Sequence, residues 1–191
     1  DELAHSASNN LAVRLLRRGD IAGAKAAADR YGPILSADAA RDLRGLIADA
    51  ELLAAAETAV SSGDGTALSE MARGFLDSGV LPAARIREVE VYAALKLAQR
   101  AGETSGWAAA LAKTEEAIAR LGTDRRLEDA RRTFRANRIA ELHNAFAALF
   151  NAKRYREARD AAEAALSYFP GERRFRENAE LADRALGAAR P

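Results

Sequence analysis

The chain has 191 residues, 49% of them hydrophobic and 30% charged, enough to bury a core under a polar surface. Its 29 basic and 28 acidic residues leave a formal charge of +1, which excludes global attraction to nucleic acid or to an anionic membrane. With no cysteine there is no disulfide, no thiol chemistry and no thiolate metal site.

Alanine is the commonest residue, and it loses no side-chain entropy in a helix. Pro33, Pro82, Pro170 and Pro191 each fit a helix boundary, and β-branched residues are scattered rather than clustered. The expectation is an all-α fold of about nine helices. No run of 18 apolar residues is present, so no transmembrane segment is expected.

Apolar residues recur with the helical period, broken by short turn signals. The first helix is expected from about Ser8 to Arg18, stopping at Gly19-Asp20. The second runs from Ile21 to Tyr31, before Gly32-Pro33. A longer third covers about Asp38 to Ser61 and ends in Ser61-Ser62-Gly63-Asp64-Gly65. The fourth spans about Thr66 to Asp77. Pro82 opens the fifth, which reaches Ala101, and Ser105 is the expected N-cap of the sixth, ending at Leu121-Gly122. Thr123-Asp124-Arg125-Arg126 opens a region to about Asn151 with no internal glycine or proline. A final pair covers Tyr155 to Phe169 and about Glu172 to Leu186, separated by Pro170-Gly171.

Connections this short make successive helices antiparallel. A bundle and a solenoid both satisfy that, and repetition separates them. The 34 residues from Ile139 to Glu172 carry Leu142, Ala145 and Leu149 on a first helix. K-R-Y-R-E-A then places Tyr155 three residues before Ala158, and Ala162, Ala165 and Pro170 follow. In length and spacing this segment resembles a tetratricopeptide repeat. Leu142 stands where the family has tryptophan or another large apolar residue. Phe146 departs from the pattern, since the family prefers glycine or alanine there. It is expected to widen the helix pair or to rotate outward. A weaker copy covers Val91–Asp124, with Trp107 three residues before Ala110, and another covers His5–Asp38.

The resemblance implies one right-handed solenoid of antiparallel hairpins over residues 1–191. Its middle pair, about 41–81, is irregular. Ala110 and Ala158 lie 48 residues apart, 14 more than one repeat, so the region 124–151 is expected to be an unusually long helix or to contain an extra one.

Convergent chemistry is sparse. His5 and His143 are the only imidazoles, and His143 lacks H-E-x-x-H spacing beside Glu141 and Asn144. No phosphate loop, dinucleotide fingerprint, calcium loop or nucleophile elbow occurs, so no cofactor and no metal is implied. Asp124 to Arg138 holds six arginines against three acids, a local charge of +3. Arg131, Arg135 and Arg138 share a face, either solvated or suited to an acidic partner.

The resemblance implies a non-catalytic scaffold that binds a protein or peptide through the first helix of each pair. That face carries Ala140, His143, Ala147, Phe150 and Asn151 in the last copy. It carries Tyr92, Leu95, Gln99 and Glu103 in the preceding one, and Ser6, Asn9, Val13 and Arg17 in the first. The family's full carboxylate-gripping set is missing, since Asn10 and Asn144 stand alone. Tyr92, Leu95, His143 and Phe150 are expected to contribute most, with Arg131, Arg135 and Arg138 steering an acidic partner. The alternatives are a small apolar ligand, a structural subunit with self-association, or an enzyme built on His143, Glu141 and nearby arginines. Should the long helix fold back over this face, no groove remains. The chain does not begin with methionine, so its true start is expected to have been removed with any address it carried. Bacterial cytoplasm and periplasm or cell envelope both stay open, the bacterial origin resting on alanine and arginine content.

Overall fold

The computed structural model describes the backbone of residues 2–188 and the side chains of residues 10–188. Among them are nine α-helices and no strand. They are α1 (Glu2–Arg17), α2 (Ile21–Tyr31), α3 (Ala37–Ser62), α4 (Thr66–Ser78), α5 (Ala83–Ser105), α6 (Trp107–Leu121), α7 (Arg125–Asn151), α8 (Tyr155–Tyr168) and α9 (Arg173–Ala188), with one 3-10 turn at Gly32–Ile34.

Helices adjacent in sequence pack on one another throughout. Each odd-numbered helix also packs on the next odd one, from α1 on α3 to α7 on α9, with no comparable contact between even helices. That is the pattern of a helical solenoid, in which no hairpin buries its apolar stripe alone. The odd layer runs parallel. Arg85 Nε of α5 lies 2.6 Å from Asp49 Oδ1 of α3, and Arg100 further along α5 donates to the carbonyls of Val60 and Ser61 at 2.6 Å each. The core comes in successive clusters. Ala12, Ala24, Leu43 and Ile47 join α1 to α3, and Leu52, Ala56, Leu68, Ile86 and Val89 join α3 to α5. Val91, Ala94, Ala117 and Leu127 join α5 to α7, and Phe146, Ala158, Ala162 and Ala182 join α7 to α9.

Small residues set the closest crossings. A Cβ on Gly102 of α5 would lie 3.2 Å from the Ala110 Cβ of α6. Ala110 and Ala158 are both fully buried, as the repeat spacing requires. Ser105 does not cap α6. It ends α5, and Gly106 makes the junction at φ +86, in the left-handed region that costs glycine no Cβ clash. Ala145 is exposed rather than on the packed face of α7. Phe146 is neither displaced nor rotated outward. Its buried ring fills the space left by Ala158, Ala162 and Ala182, so small partners on α8 and α9 compensate its bulk.

Within the region 124–151, Arg125–Asn151 form a single 27-residue helix capped by Asp124. Leu127, near its start, is buried against α5 and α6, and Phe146, near its end, against α8 and α9. These residues are 19 positions apart, five turns plus about 100°. The buried face therefore rotates along α7, and the helix belongs to two hairpin stacks at once. Between them Leu111 of α6 packs with Ile139, Leu142, Phe169 and Phe175.

Replacing Ala158 with leucine is expected to overpack the α7–α8–α9 crossing and lower stability by about 1–3 kcal/mol in urea unfolding. A neutral result would contradict the close packing at Ala158. Asp124 caps α7, its Oδ1 accepting from the Arg126 amide at 2.9 Å. The Arg126 guanidinium, with that backbone N–H, holds the Asp124 carboxyl below the usual carboxylate range. Asp124→Ala is expected to cost about 0.5–2 kcal/mol at neutral pH. A carboxyl whose value is depressed on folding stabilises above its unfolded value, and the benefit is lost as pH falls through the folded value. The difference between Asp124→Ala and the parent should therefore close below about pH 3.9. A difference independent of pH would show that the carboxylate does not carry the cap.

Candidate interaction face

The exposed stripe of the odd helices is apolar in its middle. Leu46, Ala50 and Leu53 recur at helical spacing on α3, with Leu46 49% and Leu53 38% exposed. On the neighbouring α5, Tyr92 is 47% exposed, and the Lys96 ammonium lies 6.0 Å from its ring centroid. One turn further, Gln99 donates to Glu103 at 3.0 Å. Leu95 turns aside and packs on the cluster of Val91, Ala94 and Leu127. α7 does not close this stripe. Its neighbours are α5, α6, α8 and α9, and Tyr92 stays half open beside it.

On α7 the sequence-derived residues divide. His143 and Phe150 point into the packing. The His143 Nδ1 is 3.1 Å from the carboxamide nitrogen of buried Asn178 on α9, and its ring stacks on Phe146. Phe150 stacks on Phe146 and lies tilted against Tyr155, with ring centroids 5.6 and 5.1 Å away. Ala140 and Asn151 are exposed and Ala147 is half-buried on the outer side. In α1, Val13 is half-buried and Arg17 exposed, while the side chains of His5, Ser6 and Asn9 lie outside the described residues.

The arginine stripe is largely answered from within. Arg131 pairs with Glu128 and Arg138 with Glu141, each at 2.6 Å, and the Arg135 guanidinium sits 5.4 Å from the Phe169 ring centroid. Arg135 thereby faces the α8–α9 turn, about 160° around the helix from Asn137.

A separate cleft of about 540 Å³ lies between α2, α3 and α4. Ile47, Ala48, Phe75 and Val80 line its apolar part, and Lys25 bridges to Glu51 at 2.7 Å on its rim. Sequence reasoning missed this cleft and also missed Leu46 and Leu53, because the middle helix pair falls out of the repeat frame. The signal was present in the spacing of Leu46, Ala50 and Leu53, which keeps one side of α3 apolar. Among the described residues no three His, Asp or Glu side chains converge to hold a metal ion, and no helix is long and apolar enough to cross a membrane.

No protein-family model, curated protein or solved structure matches the chain. Its functional reading therefore rests on these surfaces alone.

The placement of His143 leads to a stability prediction. His143→Ala leaves the buried Asn178 carboxamide without its partner, which is expected to cost about 1–3 kcal/mol. Thermal and urea unfolding measure it. Unchanged stability would mean that His143 is not a packing residue.

Proposed function

We propose that the chain is a non-catalytic interaction module related to tetratricopeptide repeats, and that it binds a protein or peptide on the exposed face of α3 and α5. The observation that carries this reading is the row of Leu46, Leu53 and Tyr92 on two parallel helices held in fixed register by Asp49–Arg85 and by Arg100 on the end of α3. Large apolar and aromatic groups on a rigid frame give contact area at low entropy cost and tend to dominate interface energies. The short, stacked hairpins support the kinship, as do Tyr155–Ala158 and Trp107–Ala110 at equivalent places on α8 and α6.

A second reading has its own observation. The cleft between α2, α3 and α4 has the volume and the apolar lining of a small-molecule site. An apolar ligand held there would make the module a carrier or sensor rather than a docking platform.

Leu53→Glu combined with Tyr92→Ala tests the first reading in a pull-down, with circular dichroism as the control for folding. The expected outcome is one dominant protein captured by the parent chain and lost with the double substitution. Equal capture by both baits would place the partner elsewhere. Capture of another copy of this chain would make the face a self-association surface.

A further inference from the structure

The outer stripe of α3 carries charge as well as apolar surface. At about 100° per residue, Asp42, Leu46, Ala50, Leu53 and Glu57 lie within about 80° of one another. One acid precedes the apolar run by a turn and the other follows it by a turn. Both are exposed, and no cation shares the stripe. Among the described residues, no lysine or arginine comes within ion-pair distance of either carboxylate.

The cations of the neighbouring stripes are placed otherwise. Arg41 is bonded to Asp38 at 3.0 Å, and Arg85 of α5 to Asp49 and Glu88 at 2.6 and 2.9 Å. Lys96 lies 6.0 Å from the Tyr92 ring centroid, and Arg100 donates to the carbonyls of Val60 and Ser61. The two carboxylates that bracket Leu46 and Leu53 are therefore left without a counter-charge.

Leu46 and Leu53 are seven residues apart, which is two helical turns and about 10.5 Å. A second helix laid along α3 has the same rise, so it presents its own residues at that spacing. Half-buried Ala50 between them lets the two axes approach. An extended segment covers the same distance in about three residues, and residues three apart on a strand point to opposite sides. One turn beyond each end of the apolar contact, the bound helix meets a carboxylate. An acidic residue there meets a like charge. A lysine or arginine pairs with it and lays its methylenes over the apolar edge.

We propose that the face of α3 and α5 receives an amphipathic helix of a partner protein, with apolar residues seven apart and a lysine or arginine one turn beyond each. The apolar pair packs on Leu46, Ala50 and Leu53, with half-open Tyr92 at its side, and the two cations pair with Asp42 and Glu57. Pairs at such a rim select the partner and speed its approach more than they hold it. This inference rests on the α3–α5 reading and names the conformation and charge of the segment bound.

The test titrates the intact chain into a labelled helical peptide, fluorescein-AKQAALQAQLAQLAQAKA-amide, and into the same peptide with glutamate at both lysine positions. Fluorescence anisotropy is the readout. The lysine peptide is expected to bind saturably, and the glutamate peptide at least about tenfold more weakly in dilute salt. The gap should close near about 1 M salt, where screening acts within about 3 Å. Asp42→Lys combined with Glu57→Lys should reverse the preference with no loss of helical signal in circular dichroism. Leu53→Glu should weaken the lysine peptide about fivefold or more. Absence of saturable binding by the lysine peptide overturns the proposal. So does a lysine preference that survives the charge reversal. A dimer of the chain that Leu53→Glu abolishes would place a second copy on the face, and would also overturn it. If both peptides bind equally and both are lost with Leu53→Glu, the charge assignment alone is wrong and the face stands. If lysine-peptide binding ignores Leu53→Glu, the α3–α5 reading falls together with this one.

Discussion

The structure depends on one helix that faces two ways. α7 has 27 residues and no glycine or proline, so nothing in its backbone invites a kink. Leu127 anchors its first half to α5 and α6, and Phe146 anchors its second half to α8 and α9. Burying side chains of this size contributes about 1.5–3 kcal/mol each. Because the two anchors point about 100° apart, the helix has no single apolar side. Its exposed middle is held instead by ion pairs one turn apart, such as Arg131–Glu128, Arg132–Asp129 and Arg138–Glu141. Each such pair contributes a few tenths of a kcal/mol, enough to favour helix where packing does not decide. This length carries α7 past the start of α6 and on to α8 and α9.

Around α7 the array is fastened by small residues inside and guanidinium groups outside. Gly102 against Ala110 lets α5 and α6 approach closely. Arg87 of α5 donates to the carbonyls of Leu121 and Thr123 at 2.7 and 2.9 Å, and Arg100 donates to Val60 and Ser61. Both arginines satisfy carbonyls that helix ends leave unpaired, and both reach 34 residues or more along the chain. Arg120 bridges Glu90 and Ser69 at 2.5 and 2.9 Å, tying α6 to α5 and α4. At the far end α9 buries Phe175, Asn178 and Ala182 and turns Arg174, Glu177 and Glu180 outward.

Much of this was legible in the sequence where local chemistry decides it. Gly19-Asp20, Gly32-Pro33 and Gly63-Asp64-Gly65 separate helices as read, and the bounds of α2 match residue for residue. The 48-residue gap between Ala110 and Ala158 left a long helix or an extra one open, and the structure has the long helix. What the sequence did not reveal was the direction of side chains on it. The repeat template carried His143 and Phe150 to the open face, but the rotation of the buried side between Leu127 and Phe146 turns both inward. Ser105 lost the cap to its neighbour Gly106 because the junction needs a positive φ, which spacing alone does not display. Leu46 and Leu53 were hidden by a middle pair outside the 34-residue frame.

A solenoid built this way owes its surfaces to rigidity. The apolar row on α3 and α5 is held in register by Asp49–Arg85 and by Arg100 on the end of α3, while α7 sets the α5–α6 hairpin against α8 and α9. The chain has no native cysteine, so spin labels can be placed at will. Thr133→Cys and Asn151→Cys lie on the same side of α7, both exposed and five turns apart. The electron–electron distance between labels there is the most direct measurement. A continuous α7 gives one narrow distribution centred at about 27 Å. A broad distribution, or one centred well below that length, would mean that the helix breaks between its two stacks, and the account would be contradicted.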